Sequence, residues 1–376
     1  MRFKITQEQE LLRQTVSDFA LAEVSPLASK IDWERKIPDG LLGKLPGLGL
    51  YGITIPVTLG GAGADFLSLV IAVEELSKAS GSVGAEISFH NGVVCEALLL
   101  SSNSELKESL LPKLATGTIG AFSLDPKSTI TCKIEEEDSI MVNGSSRYVM
   151  SAASAGIFLF AARTGDDGRA IICFSKDQLD SGFTVGGAEK LLGMRAADTA
   201  RISFSSAKLP VESLVFGLEN TEIAMEQLLA RSRLAVAAQA LGIAQASLDA
   251  EINYANERSQ FNTKIGNFYA IRDYIATDEI SIQTSRSVTY SAASDLDALQ
   301  NQSSSSSSGR DSAMAKVSAS NAAVQAARHS IRVHGGYGFI RDYPVERFLR
   351  DARLTQLYIE SNEALKSLIA GSLLSV

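Results

Sequence analysis

The spacing of apolar residues changes twice along this chain, and the change restricts the folds that it can adopt. Up to about residue 118, and again after about residue 214, apolar residues recur at the roughly 3.6-residue period of amphipathic helices. Between residues 119 and 214 they form short alternating or continuous runs, separated by turn residues such as Asn143 and Gly144, which is typical of antiparallel strands. The sequence therefore predicts an α+β fold with three domains. These are an N-terminal helical domain at residues 1–118, a central antiparallel β-domain at 119–214 and a C-terminal four-helix bundle at 215–376.

Local signals predict where several of the elements begin and end. In the first domain, helical periodicity covers residues 7–22, 41–48, 66–78 and 104–114. Asp65 is the expected N-cap of the third of these helices, because a short acidic side chain can accept a hydrogen bond from the first helical turn. The glycine-rich segment at residues 60–63 is expected to be a simple turn, since no phosphate-binding Gly-Lys-Ser or Gly-Lys-Thr follows it. A run of serines at residues 303–308 is expected to join two antiparallel helices of the bundle.

Composition excludes several classes of protein. The chain has 376 residues, of which 45% are hydrophobic and 21% are charged, as in a globular protein with several layers of structure. A formal net charge of −8 argues against nucleic acid as a partner, because phosphate binding needs clustered Lys and Arg. No apolar run approaches the roughly 18 residues of a membrane span, and the first residues are polar rather than signal-like. Cys95, Cys132 and Cys173 lack the spacing of a metal or redox site, so we expect reduced thiols, no metal and a cytosolic location.

Consecutive motifs near the C-terminus carry the most specific information. They read HGGYGF at residues 334–339, DYPVER at 342–347 and RDAR at 350–353, and ERSQF precedes them at 257–261. Together they resemble the C-terminal signature of the acyl-CoA dehydrogenases, whose order of helical domain, β-domain and helical bundle is the order predicted above. The resemblance implies an FAD-dependent oxidoreductase that assembles as a homodimer or homotetramer. In subtype the chain resembles the carrier-protein-linked extender-unit dehydrogenases, the colibactin-type enzymes that form aminomalonyl-carrier protein.

The same resemblance assigns residues to FAD. It implies cofactor contacts by Arg258, Phe261, Arg332, Gly335, Gly336, Ser361 and Glu363, and contacts to the flavin ring and its edge by Leu124, Ser128, Tyr148 and Ser151. Some positions depart from the family's pattern: Arg332 replaces a Gln, Tyr148 replaces a Trp, and the loop at residues 121–129 lacks the family's Gly-Ser-Asp. Tyr148 can still form an aromatic wall against the isoalloxazine ring. Either Ser151 or a backbone N–H is the candidate to replace a hydroxyl donor lost at Met150.

An isoleucine occupies the position of the family's catalytic base. The family reads R-D-A-K/R-x-x-x-I-Y-E-G-T, in which the Glu removes the substrate's α-proton, whereas residues 350–361 here read RDARLTQLYIES. Ile359 therefore stands where the Glu should be, and Ser232 stands at the other helix position that some members use. Glu360 is the nearest remaining carboxylate and the candidate relocated base, although one residue on a helix is a rotation of about 100°. Arg233 corresponds to a family arginine near the substrate's thioester arm and is the candidate substrate-binding residue.

Loss of the base limits the chemistry that the chain can perform. Removing a proton next to a thioester needs a positioned base, whereas a hydrated aldehyde gives hydride to a flavin and loses only an O–H proton. Together with the resemblance to the extender-unit dehydrogenases, this loss implies oxidation of a short acyl group on an acyl carrier protein, in which a serine-derived aminoacyl aldehyde becomes aminomalonyl in polyketide–peptide biosynthesis. Carrier proteins and CoA share phosphopantetheine, so acyl-CoA stays open as the substrate. Three alternatives remain: a conventional α,β-dehydrogenase that uses Glu360, a flavin monooxygenase of the same fold, and a non-catalytic partner subunit.

Overall fold

Helices precede and follow a central β-sheet, in the order that the sequence predicts. The computed structural model describes residues 4–125, 127–136, 138–165, 168–179, 181–216, 221–298 and 306–374. In this described part of the chain, helices dominate up to residue 115, strands dominate from 120 to 210, and long helices dominate from 221 onward. The predicted α+β fold is confirmed, while the domain boundaries at 118/119 and 214/215 stay predictions.

The N-terminal helices share one hydrophobic core. They are α1 (Gln7–Phe19), α2 (Ala28–Glu34), α3 (Asp39–Leu42), α4 (Phe66–Ala79), α5 (Gly81–Phe89), α6 (Glu96–Leu100) and α7 (Ser104–Ala115). Asp65 caps α4 as predicted, because its carboxylate accepts a hydrogen bond from the Ser68 backbone N–H at 2.8 Å. The helix predicted at residues 41–48 is wrong in its extent. There α3 ends at Leu42 and a 3-10 turn covers Pro46–Leu48, since proline and glycine disfavour the interior of an α-helix.

Helix α5 has no amphipathic period, because all nine of its residues are buried. It leads through a π-helical turn (His90–Cys95) into α6. Within the described ranges, the stretch Gly81–Leu100 is long and apolar enough to cross a membrane, but 89% of its apolar window is buried inside the protein. The core helix of a folded domain passes the same test of length and composition, so this stretch is weak evidence for a membrane span.

Among the described residues, seven strands form one sheet in the order β1-β4-β2-β3-β7-β6, with β5 added beside β4. They are β1 (Gly120–Ser123), β2 (Thr131–Glu136), β3 (Ser139–Val149), β4 (Ile157–Thr164), β5 (Gly168–Ser175), β6 (Phe183–Ala188) and β7 (Ala200–Pro210). Most neighbours are antiparallel, as predicted, but β1 and β2 each pair with β4 in parallel. Local sequence patterns do not predict this parallel pairing, since it depends on how distant segments connect.

Long helices form the C-terminal part of the protein. They are α8 (Thr221–Glu257), α9 (Tyr269–Ala298), α10 (Ser306–His334), α11 (Val345–Thr355) and α12 (Asn362–Leu374). Helix α8 packs against α4, α9 and α10, and a short hairpin of β8 (Ser259–Gln260) and β9 (Thr263–Lys264) follows it. The predicted serine turn is wrong at residues 306–308, which already belong to α10, because helical packing against α8 extends the helix to them. Residues 303–305 lie outside the described residues.

Candidate active site

The β8–β9 hairpin places two residues in unusual backbone conformations. Phe261 and Asn262 form its turn with φ of +55° and +62°, and Phe261 is 90% exposed. Residues other than glycine that are held at positive φ concentrate at functional sites. Arg258 precedes the hairpin, and its guanidinium carbon lies 5.7 Å from the centre of the Tyr337 ring. In the part of the chain that the structure describes, no carboxylate pairs with Arg258, so its charge is open to a ligand.

The turn after α10 leaves its backbone uncovered. Gly335 has a φ of +60°, and a Cβ at Gly335 or Gly336 would meet no atom within 4 Å. Arg332, on the last turn of α10, is exposed and lies 5.9 Å from an aromatic ring centre of α9. This turn lies next to Arg258, since the Tyr337 ring that the Arg258 guanidinium approaches belongs to the turn. Exposed guanidinium groups beside an open backbone fit the phosphate oxygens of FAD, which Arg binds through charge-assisted hydrogen bonds.

The candidate flavin-ring contacts lie where β3 ends. Tyr148 and Ser151 have φ of +56° and +57°, and the Tyr148 ring is 54% exposed beside Arg147. Met150 is buried between them, and its sulfur accepts a hydrogen bond from the Thr199 hydroxyl at 3.1 Å. An exposed aromatic ring on a strained segment fits a stacking partner for a flavin ring.

The loop after β1 carries the other two ring-contact candidates. Phe122 of β1 forms an antiparallel bridge with Met150, so Leu124, two residues later, lies near the end of β3. Ser128 accepts a hydrogen bond from the Ile130 backbone N–H at 3.2 Å. Both Leu124 and Ser128 are half-buried, and their contact with the flavin stays a prediction.

Neither of the family's base positions carries a carboxylate. Ile359 is half-buried and has a φ of +65°, a conformation that a β-branched residue rarely adopts. Ser232 is fully buried in α8, where its hydroxyl donates a hydrogen bond to the Leu228 carbonyl at 2.8 Å. A base for a carbon acid therefore has to come from elsewhere in the site.

Glu360 and Arg233, the candidate base and the candidate substrate contact, form an ion pair with each other. Arg233 Nε donates to Glu360 Oε2 at 2.6 Å, and Arg233 Nη1 donates to Glu226 Oε1 at 2.7 Å and to the Gly309 carbonyl at 3.3 Å. The buried Lys316 ammonium donates to the Glu360 backbone carbonyl, and burial lowers the pKa of Lys316 to about 8. The Arg233 guanidinium holds the Glu360 carboxylate oxygen that would have to face a substrate, so the pairing argues against Glu360 as the base. The Arg233 side chain is fully buried, which argues against direct contact with a substrate.

Ser361 and Glu363 lie at the start of α12. The Ser361 hydroxyl accepts a hydrogen bond from the Ala364 backbone N–H at 3.3 Å. Glu363 is exposed, and hydrogen bonding to the backbone lowers the pKa of its carboxyl. Both residues thus help to begin the helix, and their contacts with FAD stay predictions.

A buried glutamate that belongs to no motif faces residues 148–151, which are called the ring-contact segment below. Glu86 of α5 accepts a hydrogen bond at Oε2 from Ser151 Oγ at 2.7 Å, and its Oε1 lies 3.4 Å from the Tyr51 hydroxyl. Burial raises the pKa of the Glu86 carboxyl to about 7, although the hydrogen bonds from Ser151 and Tyr51 oppose the rise. The sequence carries one signal for this residue, because Glu86 is the only Asp, Glu, Lys or Arg between residues 79 and 95.

Comparison with known proteins identifies the family. The acyl-CoA dehydrogenase N-terminal domain matches residues 6–118, and the acyl-CoA dehydrogenase C-terminal domain matches residues 221–374. The chain belongs to the acyl-CoA dehydrogenase family. An acyl-CoA dehydrogenase of Bacillus subtilis (strain 168) is 37% identical over 382 residues, which cover 98% of this chain and 99% of the relative. Butyryl-CoA dehydrogenase from Megasphaera elsdenii has a TM-score of 0.91 and 27% identity over 100% of both chains. The prolyl acyl carrier protein oxidase AnaB shares the fold, with a TM-score of 0.90 and 23% identity over 98% of this chain and 100% of that one.

These matches confirm the acyl-CoA dehydrogenase fold and an FAD-dependent oxidoreductase. The residues present fit the cofactor, because the uncovered backbone at Gly335 and Gly336, the exposed guanidinium of Arg258 and the exposed Tyr148 ring match its phosphate and ring ends. Bound FAD supplies an acceptor for two electrons in the form of hydride. Which acyl compound supplies them depends on the proton acceptor that the chain provides.

Proposed function

We propose that this acyl-CoA dehydrogenase homologue oxidises a short acyl group on the phosphopantetheine arm of an acyl carrier protein. The substrate is a serine-derived aminoacyl aldehyde in its hydrated form, and the product is aminomalonyl-carrier protein, an extender unit for polyketide–peptide biosynthesis. One observation carries the proposal. Ile359 and Ser232 leave both base positions without a carboxylate, and the neighbouring Glu360 is held by Arg233 at 2.6 Å.

A hydrated aldehyde suits such a site because its oxidation removes no proton from carbon. Its carbon loses hydride, and the only proton that leaves comes from a hydroxyl group, which is far more acidic than the α-carbon of a thioester. Oxidation of a saturated acyl thioester would instead need a carboxylate aimed at the α-carbon, the function that the family's Glu performs where this chain has Ile359.

The AnaB structure supports a carrier protein as the partner. That protein has the same fold at a TM-score of 0.90 and is described as a prolyl acyl carrier protein oxidase. Carrier proteins and CoA present their acyl groups on the same phosphopantetheine arm, so one channel can serve either. We also expect a homodimer or homotetramer, since Arg258 and Gly335 are open to solvent in the single chain. A cytosolic location stays a prediction.

Conventional acyl-CoA dehydrogenation is the second candidate function. It is favoured by the name of the Bacillus subtilis relative, an acyl-CoA dehydrogenase at 37% identity. It requires Glu360 to leave Arg233 and turn to the substrate, which would strand a fully buried guanidinium without one of its two carboxylate partners.

Anaerobic reduction of the flavin tests the proposal. The FAD-loaded protein is mixed without oxygen with carrier protein that bears the serine-derived aldehyde and, in parallel, with butyryl-CoA. We expect the visible absorption of oxidised flavin to disappear with the aldehyde and to persist with butyryl-CoA. Reduction by butyryl-CoA but not by the aldehyde would overturn the proposal and favour the conventional reaction.

A further inference from the structure

We infer that Glu86 is a catalytic residue of this enzyme, the acceptor of the hydroxyl proton of the hydrated aldehyde; the inference rests on the proposed function above. Glu86 lies on α5, a helix that belongs to the N-terminal part of the chain and carries none of the family motifs. In this role Glu86 accepts the proton that neither Ile359 nor Ser232 can accept.

The contacts of Glu86 place it at the ring-contact segment. Its Oε2 accepts a hydrogen bond from Ser151 Oγ at 2.7 Å, and Ser151, two residues after the end of β3, has the unusual φ of +57°. Its Oε1 lies 3.4 Å from the Tyr51 hydroxyl. Both neighbours are neutral donors, so the carboxylate is held in place without being neutralised by a cation.

Helix α5 also reaches the segment that lacks the family base. The ring of Phe89, one turn after Glu86, lies 5.2 Å from the ring of Phe122 and 5.1 Å from the ring of Tyr358. Phe122 bridges Met150 on the side of the β-sheet, and Tyr358 directly precedes Ile359. Helix α5, which carries Glu86, thus packs against both the ring-contact segment and the segment around Ile359.

The surroundings of Glu86 set its proton affinity near neutral pH. Burial raises the pKa of Glu86 to about 7, hydrogen bonds from Ser151 and Tyr51 lower it, and the negative charge of Asp198 raises it. His90 packs edge-on against the Tyr51 ring at 4.5 Å, and burial lowers the pKa of His90 to about 4, so it adds no positive charge at neutral pH. A base with a pKa close to the working pH is both available in its ionised form and strong enough to take a proton.

The proposed step balances in atoms and electrons. The aldehyde carbon of the hydrate breaks its C–H bond and gives the hydride, with two electrons, to the bound flavin. One hydroxyl O–H bond breaks, its proton goes to the Glu86 carboxylate, and its electron pair completes the C=O bond of the product acid. Ser151 and Tyr51 are positioning residues in this step, because they hold the carboxylate by donating hydrogen bonds to it.

Glu86→Gln tests the assignment with little change in size. The variant should bind FAD at the wild-type stoichiometry, while flavin reduction by aldehyde-loaded carrier protein should slow by at least about 100-fold. Glu75→Gln is the matched control, since Glu75 is a mostly buried carboxylate of α4 whose ion-pair partner is Arg13 at 3.8 Å. The control should keep the wild-type rate.

A second readout does not depend on turnover. Infrared difference spectra of the protein, titrated across neutral pH, should show a protonated carboxyl band that vanishes as the pH rises through about 7 and is absent in Glu86→Gln. Ser151→Ala removes a donor to the ionised carboxylate, so it should move the midpoint of this titration, and of the pH–rate profile, to higher pH. A purely structural role for Glu86 would leave the midpoint of the pH–rate profile unchanged in Ser151→Ala.

The outcomes separate this inference from the proposed function. A wild-type rate in Glu86→Gln would overturn the assignment of Glu86 and leave aldehyde oxidation standing. Failure of the aldehyde to reduce the wild-type flavin would overturn both. If Glu86→Gln does not fold, the midpoint of the pH–rate profile of Ser151→Ala decides: an upward shift supports the assignment and an unchanged midpoint overturns it.

Discussion

Residue 359 is an isoleucine at the position where the family has its catalytic glutamate. Its φ of +65° is unusual for a β-branched residue, and the neighbouring Glu360 forms an ion pair with Arg233. The Arg-Asp-Ala-Arg motif before this position is intact, whereas Glu360 and Ser361 follow it where the family has Gly-Thr. At the base position itself one side chain separates this chain from the family's arrangement, and restoring a glutamate there should change the reaction.

Ile359→Glu should introduce oxidation of acyl-CoA. The new carboxylate would stand at the family's base position, so we expect flavin reduction by butyryl-CoA to become at least about 100-fold faster than in the wild type. Ile359→Gln is the matched control, because it has nearly the same shape and cannot accept the proton. Stopped-flow absorption of the flavin measures both. Equal rates in the two variants would show that the missing base does not limit the conventional reaction.

Glu251 of α8 should make stability depend on pH. Its carboxyl group is fully buried, and burial and the negative charge of Asp278 raise its pKa from 4.5 to about 10. Because the folded state holds this proton more tightly than the unfolded chain, the stabilisation is fully present below the unfolded pKa and is lost as pH rises toward the folded one.

Glu251→Gln mimics the protonated acid at every pH. It should raise the melting temperature by a few degrees at about pH 9 and change it little at about pH 5. Thermal unfolding followed by circular dichroism measures the difference. The same shift at both pH values would contradict a titrating, buried Glu251.

Residues of the site differ in how far the sequence could predict them. Arg258, Gly335 and Gly336 belong to contiguous motifs, so their positions follow from the sequence once the family is recognised. Glu86 could not be assigned in this way, because its proton affinity comes from burial and from a hydrogen bond to Ser151, 65 residues away. The Arg233–Glu360 pair was hidden for the same reason, since it joins α8 to the loop before α12.

Among the elements, periodicity and capping signals predicted α1, α4 and α7 and missed the fully buried α5. Helices α1, α4 and α7 begin where the sequence predicts, because their apolar stripes and N-caps are local features. Helix α5 is buried on all sides and therefore has no stripe, although it carries Glu86. Parallel pairing of β1 with β4 was likewise hidden, since it depends on long-range topology.

The turn that follows α10 offers a test of cofactor binding. A side chain at Gly336 would meet no protein atom within 4 Å, so Gly336→Val should leave the stability of the FAD-free protein nearly unchanged. It should lower the affinity for FAD by at least about 10-fold if FAD occupies the open space. Gly187→Val is the control, because that glycine also meets nothing within 4 Å and lies in β6. Unchanged FAD affinity in Gly336→Val, measured by fluorescence titration, would remove this turn from the cofactor site.

At the scale of the whole molecule, the single chain exposes several large aromatic side chains, a residue type that folded proteins usually bury. Phe261, Phe339 and Tyr269 are 90%, 79% and 82% exposed. Phe261 and Phe339 lie on the hairpin and the turn that carry the FAD-contact candidates. Exposed apolar groups of this kind mark interaction surfaces. They support assembly with further copies of the chain around the cofactor.

Assembly and cofactor binding should therefore be lost together. Sedimentation of the FAD-loaded protein should give the mass of two or four chains. Phe261→Asp should shift the population toward the single chain and lower the bound flavin. Leu21→Asp, a change at a residue that is 72% exposed on the N-terminal helices, should affect neither. A wild-type protein that sediments as a single chain with one bound FAD would contradict this account.

The mass of the carrier protein after one turnover tests the central claim most directly. FAD-loaded enzyme is mixed with carrier protein bearing the serine-derived aldehyde, and the intact carrier is then weighed by mass spectrometry. Oxidation of the hydrate to the acid predicts a gain of one oxygen atom relative to the aldehyde, with no change when a saturated butyryl carrier is used. An unchanged aldehyde carrier, together with loss of two hydrogen atoms from the butyryl carrier, would contradict the account and show a conventional dehydrogenase.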